Sequence, residues 1–375
     1  MIVRPLTEYC TLNMGQSPDS KTYNTQGKGL PFYQGNADFG ETHPITHVWC
    51  SAPVKVAEDG DILISVRAPI GAMNMAVERC CIGRGLAALT PIRNKCSKQF
   101  LYYALQSKVD SLIAQGTGST FKAISKKVLE ATCIPAYSTI EQEQIAETIG
   151  HVDNTIAARR KQLALLDQLV KSRFIELFGD PMTDVSKWSA STIGEQFNVS
   201  SGGTPATGEK AYWENGTIPW IGSNMCQDTM LSENDGKFIT EEGYAHSSAK
   251  WFHKGTVLVA LVGATIGKTA LLRFDTTTNQ NIAAIDVTQN AAFSSEFVFY
   301  HMQMLYSKFM EIGSGKFKMA NQGFIRQLPL ICPPIELQEQ FAAFVEQTDK
   351  SKFAVQKGLQ ELEILKKSLM QQYFG

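Results

Sequence analysis

Gln142-Glu143-Gln144 lies near the start of a long run of residues that closes with Phe178-Gly179. The same letters return 196 positions later as Gln338-Glu339-Gln340 and Phe374-Gly375. Solenoid and propeller repeats have shorter periods, of roughly 20 to 50 residues. The chain is therefore predicted to be a duplicated domain with its connecting segment, a molecule that meets its target at two places. A further match at the same offset pairs Leu86-Ala87-Ala88-Leu89 with Ile282-Ala283-Ala284-Ile285.

The connecting segments read as long helices. From Thr139 to Phe178 the only glycine is Gly150, there is no proline, and apolar residues recur every seven positions. A helix of about 40 residues spans roughly 60 Å. We predict that the two segments pair within one chain; the alternative is that each merely closes off its own domain. The residues predicted to pair the helices are Ile149, Ile156, Leu163, Val170 and Leu177 in the first and Val345, Val355, Leu359, Leu362 and Leu369 in the second.

The rest of each half is predicted to mix strands and helices. Asp61 to Val66 and Thr256 to Val262 are apolar runs between glycines, which is typical of buried strands. Helical patterns follow from Phe100 to Ile113 and from Phe297 to Ile312. The predicted division is a first domain over 1–138, a helix over 139–180, a second domain over 181–334 and a helix over 335–375.

The 375 residues are 43% hydrophobic and 19% charged, which is ordinary for a globular protein. No run of 18 apolar residues and no apolar signal core occurs, so we expect a cytoplasmic protein without a membrane partner. The eight cysteines form no Cys-x-x-Cys pair and read as reduced core residues. Residues 1–138 carry a net charge of +4 and residues 181–334 carry −2. The field is weak, so any DNA binding must use local basic loops or a partner's cationic surface.

The order of the motifs resembles the specificity subunit of type I restriction-modification systems over the whole chain. The resemblance rests on Gly60 to Arg67 with Ile70-Gly71, on its copy Gly255 to Val259 with Ile266-Gly267-Lys268, and on the exits from Pro135 and Pro334 into the two glutamine-rich segments. It implies two mixed α/β target-recognition domains joined by two long helices that form an antiparallel intramolecular coiled coil, with a pseudo-two-fold internal repeat.

The resemblance also implies a function. Each domain would read one half of a bipartite, asymmetric double-stranded DNA target, and the helices would fix the gap. Two methyltransferase (modification) subunits and restriction (motor nuclease) subunits would supply the chemistry, so this chain would be a non-catalytic subunit with no cofactor. The domain interiors depart most from the family pattern, which leaves the target sequence open.

Polar, turn-rich segments are the candidate DNA contacts. Glycines permit close approach of the backbone to DNA, and hydroxyl, amide and lysine groups bind phosphates or base edges. A structural turn with incidental lysines is the alternative for the loops Gly116 to Lys122 and Gly313 to Lys318. The candidate residues are Gln16, Ser17, Lys21, Tyr23, Arg67, Ser119 and Lys122 in the first half and Ser201, Thr204, Lys210, Tyr212, Lys268, Lys316 and Lys318 in the second.

Other chemistries fit the sequence poorly. Gly263 to Thr269 has three residues between its glycines where a phosphate-binding loop needs four. His43 and His47 have helical spacing, but Pro44 intervenes and no third metal ligand stands nearby. Pro333-Pro334 lacks the flanks of an amino-methyltransferase motif, which disfavours a free-standing methyltransferase. The competing function is a two-headed protein-interaction scaffold that never touches nucleic acid.

Overall fold

The computed structural model describes residues 2–118, 122–183, 187–312 and 319–375. The chain forms two compact units. The first unit contains residues 1–160 together with 357–375, and the second unit contains residues 161–356. Each unit therefore holds one α/β domain and a segment of both long helices.

The α/β domain of the first unit is built on two sheets. One sheet has the order β2-β10-β7-β8 and is antiparallel throughout; the other has the order β3-β5-β4-β9-β6, in which β4 and β9 are parallel. A short pair, β1 with β11, brings the two ends of the domain together. The elements in chain order are β1 (Val3–Pro5), β2 (Cys10–Met14), β3 (Tyr23–Asn24), β4 (Leu30–Tyr33), β5 (Trp49–Cys50), β6 (Val56–Ala57), β7 (Ile62–Ser65), β8 (Met73–Met75), β9 (Cys80–Ile82), β10 (Leu86–Pro91), α1 (Lys98–Ser107), α2 (Val109–Ala114), α3 (Lys126–Ala131), β11 (Cys133–Pro135) and α4 (Thr139–Phe178).

The second domain repeats this plan with one strand more in one sheet and one strand fewer in the other. Its sheets have the orders β13-β21-β18-β19-β15 and β16-β14-β20-β17, with β12 paired to β22. The added edge strand β15 lies parallel to β19. The elements are β12 (Ser189–Thr192), α5 (Ile193–Gln196), β13 (Asn198–Ser200), β14 (Ile218–Ile221), β15 (Thr229–Leu231), β16 (Phe238–Ile239), α6 (Glu241–Ala245), β17 (Trp251–Phe252), β18 (Val257–Ala260), β19 (Thr269–Leu272), β20 (Thr276–Thr278), β21 (Ile282–Asp286), α7 (Ser295–Met304), α8 (Tyr306–Met310), α9 (Gln322–Gln327), β22 (Pro329–Cys332) and α10 (Ile335–Phe374).

The apolar runs form the expected buried strands, since every residue of β7 and of β18 is buried. The two helical patterns predicted after these strands are not continuous helices. Each is broken into two helices, at Lys108 with φ −99° and ψ 0° and at Leu305 with φ −85° and ψ 7°. A residue in that conformation ends one set of helical hydrogen bonds and starts another.

Within the first unit, α4 and α10 run antiparallel. Asp153 Oδ1 lies 2.7 Å from Lys366 Nζ, and Arg160 donates to Glu363 Oε1 at 2.8 Å. The last turn of α10 packs into the core of the first domain, where Phe374 is 1% exposed.

Within the second unit, the same two helices are again antiparallel. Lys352 Nζ lies 2.7 Å from Asp167 Oδ1, and Phe174 of α4 meets Phe341 of α10 edge to face with ring centroids 5.5 Å apart. The predicted fold class, two mixed α/β domains with an antiparallel intramolecular pair of long helices, is confirmed.

The residues predicted to pair the helices differ in burial. Ile149 belongs to the core of the first domain, and Val170 and Val345 belong to the core of the second. Ile156 and Val355 are each 6% exposed. Leu163, Leu177, Leu359, Leu362 and Leu369 are half-buried.

A buried glutamine fixes each long helix to the domain before it. Gln142 Oε1 accepts from the backbone N–H of Ser97, and its Nε2 donates to the carbonyls of Lys95 and Tyr137 at 3.1 and 3.0 Å. Gln338, 196 positions later, repeats the arrangement. It accepts from Ser294 N–H at 2.9 Å and donates to the carbonyls of Ala292 and Pro333. The glutamines shared by the two halves are thus joints between helix and domain.

Candidate nucleic-acid interface

In the first domain the candidate surface lies where the parallel strands β4 and β9 end. Phe32 pairs with Cys81 and Tyr33 with Ile82, so the residues that follow both strands emerge at one edge. Gly83 N–H donates to Tyr33 O at 2.8 Å and Gly85 N–H to Gln34 O at 3.2 Å. The two following loops are therefore bonded directly to each other.

Three more segments, distant in sequence, reach the same edge through backbone hydrogen bonds. Gln16 N–H donates to Ile82 O at 3.0 Å, and Val66 N–H donates to Gly85 O at 2.9 Å. Ala68 N–H donates to the carbonyl of Lys122 at 3.1 Å. The fold thereby brings together four of the predicted residues, namely Gln16, Ser17, Arg67 and Lys122.

These loops enclose a cleft of about 330 Å³ lined by Gln34, Asn36, Arg67 and Arg84. Both arginine side chains are exposed, and neither has a hydrogen bond or ion pair with any residue that the structure describes. The carboxylate of Asp38, which also lines the cleft, accepts the N–H groups of Gln34 and Gly35 instead of pairing with an arginine. The cleft therefore offers cationic donors that are free to bind a ligand.

Lys21 and Tyr23, two further predicted residues, do not line this cleft. Lys21 is exposed in the turn capped by Asp19, whose side chain accepts the Lys21 N–H. Tyr23 donates its hydroxyl to Pro18 O at 2.9 Å and packs on Phe32 with ring centroids 4.7 Å apart. Burial raises the pKa of Tyr23, with the charge of Arg84 acting weakly in the opposite direction. Tyr23 thus supports the loop more than it offers a free donor.

The second domain builds an equivalent edge from β14 and β20, which are also parallel. Asn279 N–H donates to Ile221 O at 3.1 Å, and Trp220 Nε1–H donates to Gly203 O at 3.0 Å. Gly202 must lack a side chain, because a Cβ there would lie 2.1 Å from Thr278 O. The polar loop Ser201 to Pro205 is consequently held against the end of β20.

Two predicted residues of this loop, Thr204 and Ser201, each hydrogen-bond to a glutamine. Thr204 Oγ1 donates to Gln280 Oε1 at 2.6 Å. Ser201 Oγ accepts from Gln322 Nε2 at 3.0 Å. These bonds replace the arginine-lined arrangement of the first domain with neutral amide and hydroxyl groups.

Two predicted cations of the second domain that the structure describes, Lys268 and Lys210, are engaged locally. Lys268 Nζ lies 2.6 Å from Asp228 Oδ2 and 5.0 Å from the centre of the Tyr306 ring. The hydrogen bond with Asp228 raises the pKa of Lys268. Lys210 pairs with Glu214 at 3.6 Å, and Tyr212 stacks on His246. Contacts from these residues to DNA stay predictions.

Ser119, Lys316 and Lys318 lie outside the described residues. Two central residues of the candidate surfaces, Arg84 and Gln280, were missed by sequence reasoning. The sequence signal that could have found them is that the residues at these equivalent positions, 196 apart, differ, although each lies two residues before one of the matched strands β10 and β21. Gln34 and Asn36 had no such signal, since only the parallel pairing of β4 with β9 brings them to this edge.

The architecture defines a class: two related α/β domains, each on an antiparallel helix pair. A family model for the type I restriction modification DNA specificity domain matches residues 1–168 and again residues 185–364. The chain therefore belongs to the type I restriction-modification DNA specificity family, and the suspected resemblance is confirmed.

Several relatives carry the same description. A putative type I restriction enzyme MjaX specificity subunit of Methanocaldococcus jannaschii is 41% identical over 164 residues, 44% of this chain and 39% of that protein. The MjaIX specificity subunit of the same organism is 23% identical over 301 residues, 72% and 69% of the two chains. The EcoR124I/EcoR124II specificity subunit of Escherichia coli is 31% identical over 102 residues, 26% and 25%. The match thus spans well under half of the first of these relatives.

Solved structures show the same fold. The S subunit of a type I restriction-modification system from M. genitalium has a TM-score of 0.60 at 18% identity, covering 100% of this chain and 96% of that one. A structure that addresses complex assembly and conformational transition of the type I R-M system gives a TM-score of 0.60 at 16% identity, covering 99% and 97%. Among the described helices, none combines the length and apolarity needed to cross a bilayer.

Proposed function

We propose that this chain is the DNA-recognition subunit of a type I restriction-modification complex. The observation that carries the proposal is the repetition of one polar edge, at the ends of parallel strands, in two domains of this family. Each edge would read one half of a bipartite, asymmetric target in double-stranded DNA. Residues 1–138 and 181–334 act as the readers, and the helices within 139–180 and 335–375 fix the gap.

The net charges of the two domains support the view that DNA binding by this chain depends on partner subunits. The segment charges of +4 and −2 give a weak field, whereas DNA affinity comes mostly from neutralised phosphates. Two methyltransferase subunits bound to the helices would add cationic surface, and restriction subunits would complete the nuclease.

The chemistry of the complex belongs to those partners. This chain acts without a cofactor of its own and catalyses no step. It works in the cytoplasm, where its eight unpaired cysteines stay reduced.

The test uses a random duplex library and the full chain, with and without methyltransferase subunits. The complex is expected to enrich two short fixed sequences separated by a fixed gap of unread positions. Failure to retain any duplex at low salt, with the partner present, would favour the protein-interaction scaffold. Transfer of a methyl group by the isolated chain would contradict a non-catalytic role.

A further inference from the structure

Arg84 and Gln280 occupy equivalent places in the two domains. Each lies in the short loop between a parallel strand, β9 or β20, and the matched strand that follows, β10 or β21. Each also meets a hydroxyl from the first polar loop of its own domain. Ser17 Oγ accepts the Arg84 N–H at 3.3 Å, and Thr204 Oγ1 donates to Gln280 Oε1 at 2.6 Å. The duplicated frame thus presents two different side chains at one position.

The backbone around Arg84 is closely packed, while its side chain has no partner among the residues that the structure describes. A Cβ on Gly83 would lie 2.9 Å from Gln34 Cα, and one on Gly85 would lie 2.5 Å from Gln34 O. Such close packing on both sides leaves the loop little room to move. The guanidinium lines the cleft with its donors unused by the described residues. Paired arginine donors match the O6 and N7 acceptors of guanine in the major groove.

The side chain of Gln280 is exposed, and its Oε1 accepts a hydrogen bond from Thr204 Oγ1. The hydroxyl occupies one lone pair of Oε1, which leaves the second lone pair and both Nε2 hydrogens available. An oxygen acceptor beside an N–H donor matches the N6 amino group and N7 of adenine. The amide of Gln280 therefore keeps the acceptor and the donor that adenine requires.

We propose that Arg84 and Gln280 determine specificity, with Arg84 reading a guanine in the half-site of the first domain and Gln280 an adenine in that of the second. The inference rests on the proposed function and deepens it. Arg67 supplies the contrast. It lines the same cleft as Arg84, but its counterpart 195 positions later, Val262, has no polar group. Of these two positions, only that of Arg84 and Gln280 carries a side chain able to bond a base edge in both domains, so we assign Arg67 to a phosphate.

The experiment repeats the library selection with full-length variants in the methyltransferase complex. Arg84→Gln is expected to change the preferred base at one position of one half-site, with a loss for guanine of roughly 10- to 100-fold, and to leave the other half-site unchanged. Gln280→Arg is expected to change the preferred base at one position of the second half-site, with a loss for adenine, and to leave the first half-site unchanged. Arg67→Gln is expected to weaken all sequences alike and lower the salt dependence by about one phosphate contact.

Arg84→Lys guards against misfolding, because it keeps the charge and loses the paired donors. It should lower the guanine preference while keeping the salt dependence of the wild type. Full retention of that preference in Arg84→Lys, a uniform loss of affinity in Arg84→Gln, or a first half-site without guanine would overturn the inference. If the wild-type complex selects no sequence at all, the proposed function itself fails, and the two failures are therefore distinct.

Discussion

Gln142 and Gln338 show how single side chains hold this architecture. Each is 0% exposed and satisfies three backbone groups at the start of a long helix. A buried polar group that loses its partner costs about 1–3 kcal/mol. Both glutamines lie near the segment that first revealed the repeat, so the strongest sequence match marks a structural joint.

Replacing Gln142 with Ala should lower the free energy of unfolding by about 2–4 kcal/mol, because three buried backbone groups lose their partner. Urea denaturation of the full chain measures the change. Gln144→Ala is the matched control, since Gln144 is exposed on the same helix and should cost under about 0.5 kcal/mol. Equal stability of the two variants would contradict the role of Gln142 in attaching the helix to the domain.

The burial of His301 predicts that the second unit loses stability in acid. It is fully buried, its Nε2 accepts the Ile331 N–H at 3.4 Å, and its Nδ1 has no hydrogen-bond partner in the described chain. Burial lowers the pKa of His301 to about 3, whereas an unfolded histidine titrates near 6.5. Below about pH 6.5 the unfolded chain therefore binds a proton that the folded chain refuses.

The free energy of unfolding should consequently fall with decreasing pH between about 6.5 and 3, by about 1.4 kcal/mol per pH unit from this group alone. The measurement is urea denaturation from pH 7.5 to 4.5, comparing wild type with His301→Gln, whose side-chain oxygen can still accept the Ile331 N–H. The difference between the two curves should shrink or reverse as pH falls. Parallel curves for wild type and His301→Gln would rule out His301 as a source of acid sensitivity. The control is His151→Gln, at an exposed site, which should behave like wild type.

At the scale of elements, the long helices show why a duplicated sequence does not give two identical surfaces. Ile156 and Val170 of α4 correspond, 196 positions later, to Lys352 and Lys366 of α10. These lysines are 16% and 25% exposed and bond to Asp167 and Asp153 of α4. Moving from Asp153 to Asp167 advances 14 residues along α4, and moving from Lys366 to Lys352 goes back 14 along α10. Both ion pairs therefore report the same antiparallel register.

A double-mutant cycle on Asp153→Lys and Lys366→Asp tests that register. Each single change places like charges together and should destabilise the first unit, while the double change should restore most of the loss. We expect a coupling of about 1 kcal/mol, because both side chains are at most a third exposed. The exposed pair Glu346 and Lys350, within one helix, is the control and should couple by only about 0.3–0.5 kcal/mol. If Asp153 and Lys366 couple no more strongly than Glu346 and Lys350, the ion pair between the helices does not stabilise their register.

At the scale of the whole molecule, the proposed function makes the helix pair a ruler. The register allows a matched deletion of one heptad, residues 157–163 together with 356–362, that keeps the Asp153–Lys366 and Asp167–Lys352 pairs aligned. Seven helical residues rise about 10 Å, close to three base pairs of DNA. Library selection with the methyltransferase complex should return both half-sites unchanged and a gap shorter by about three base pairs.

The control removes 157–163 alone. This deletion shifts one helix against the other, so thermal unfolding should show a large loss of stability. An unchanged gap in the matched, stably folded deletion would exclude the helices as the ruler.

The duplication, the two long helices and the buried strands could be predicted from the amino-acid sequence, because heptad spacing, the scarcity of glycine, the absence of proline within the helices and apolar runs all act within a few residues of chain. The antiparallel pairing followed from the family resemblance. Which polar residues share a surface depends on how the chain folds. Gln16, Gln34, Arg67, Arg84 and Lys122 converge because parallel strands end at one sheet edge and backbone bonds tie the loops there. Lys268, equally basic in the sequence, is instead balanced by Asp228, 40 positions away. Charge and hydrogen-bonding capacity are properties of a residue, but whether they remain free depends on neighbours that only the fold supplies.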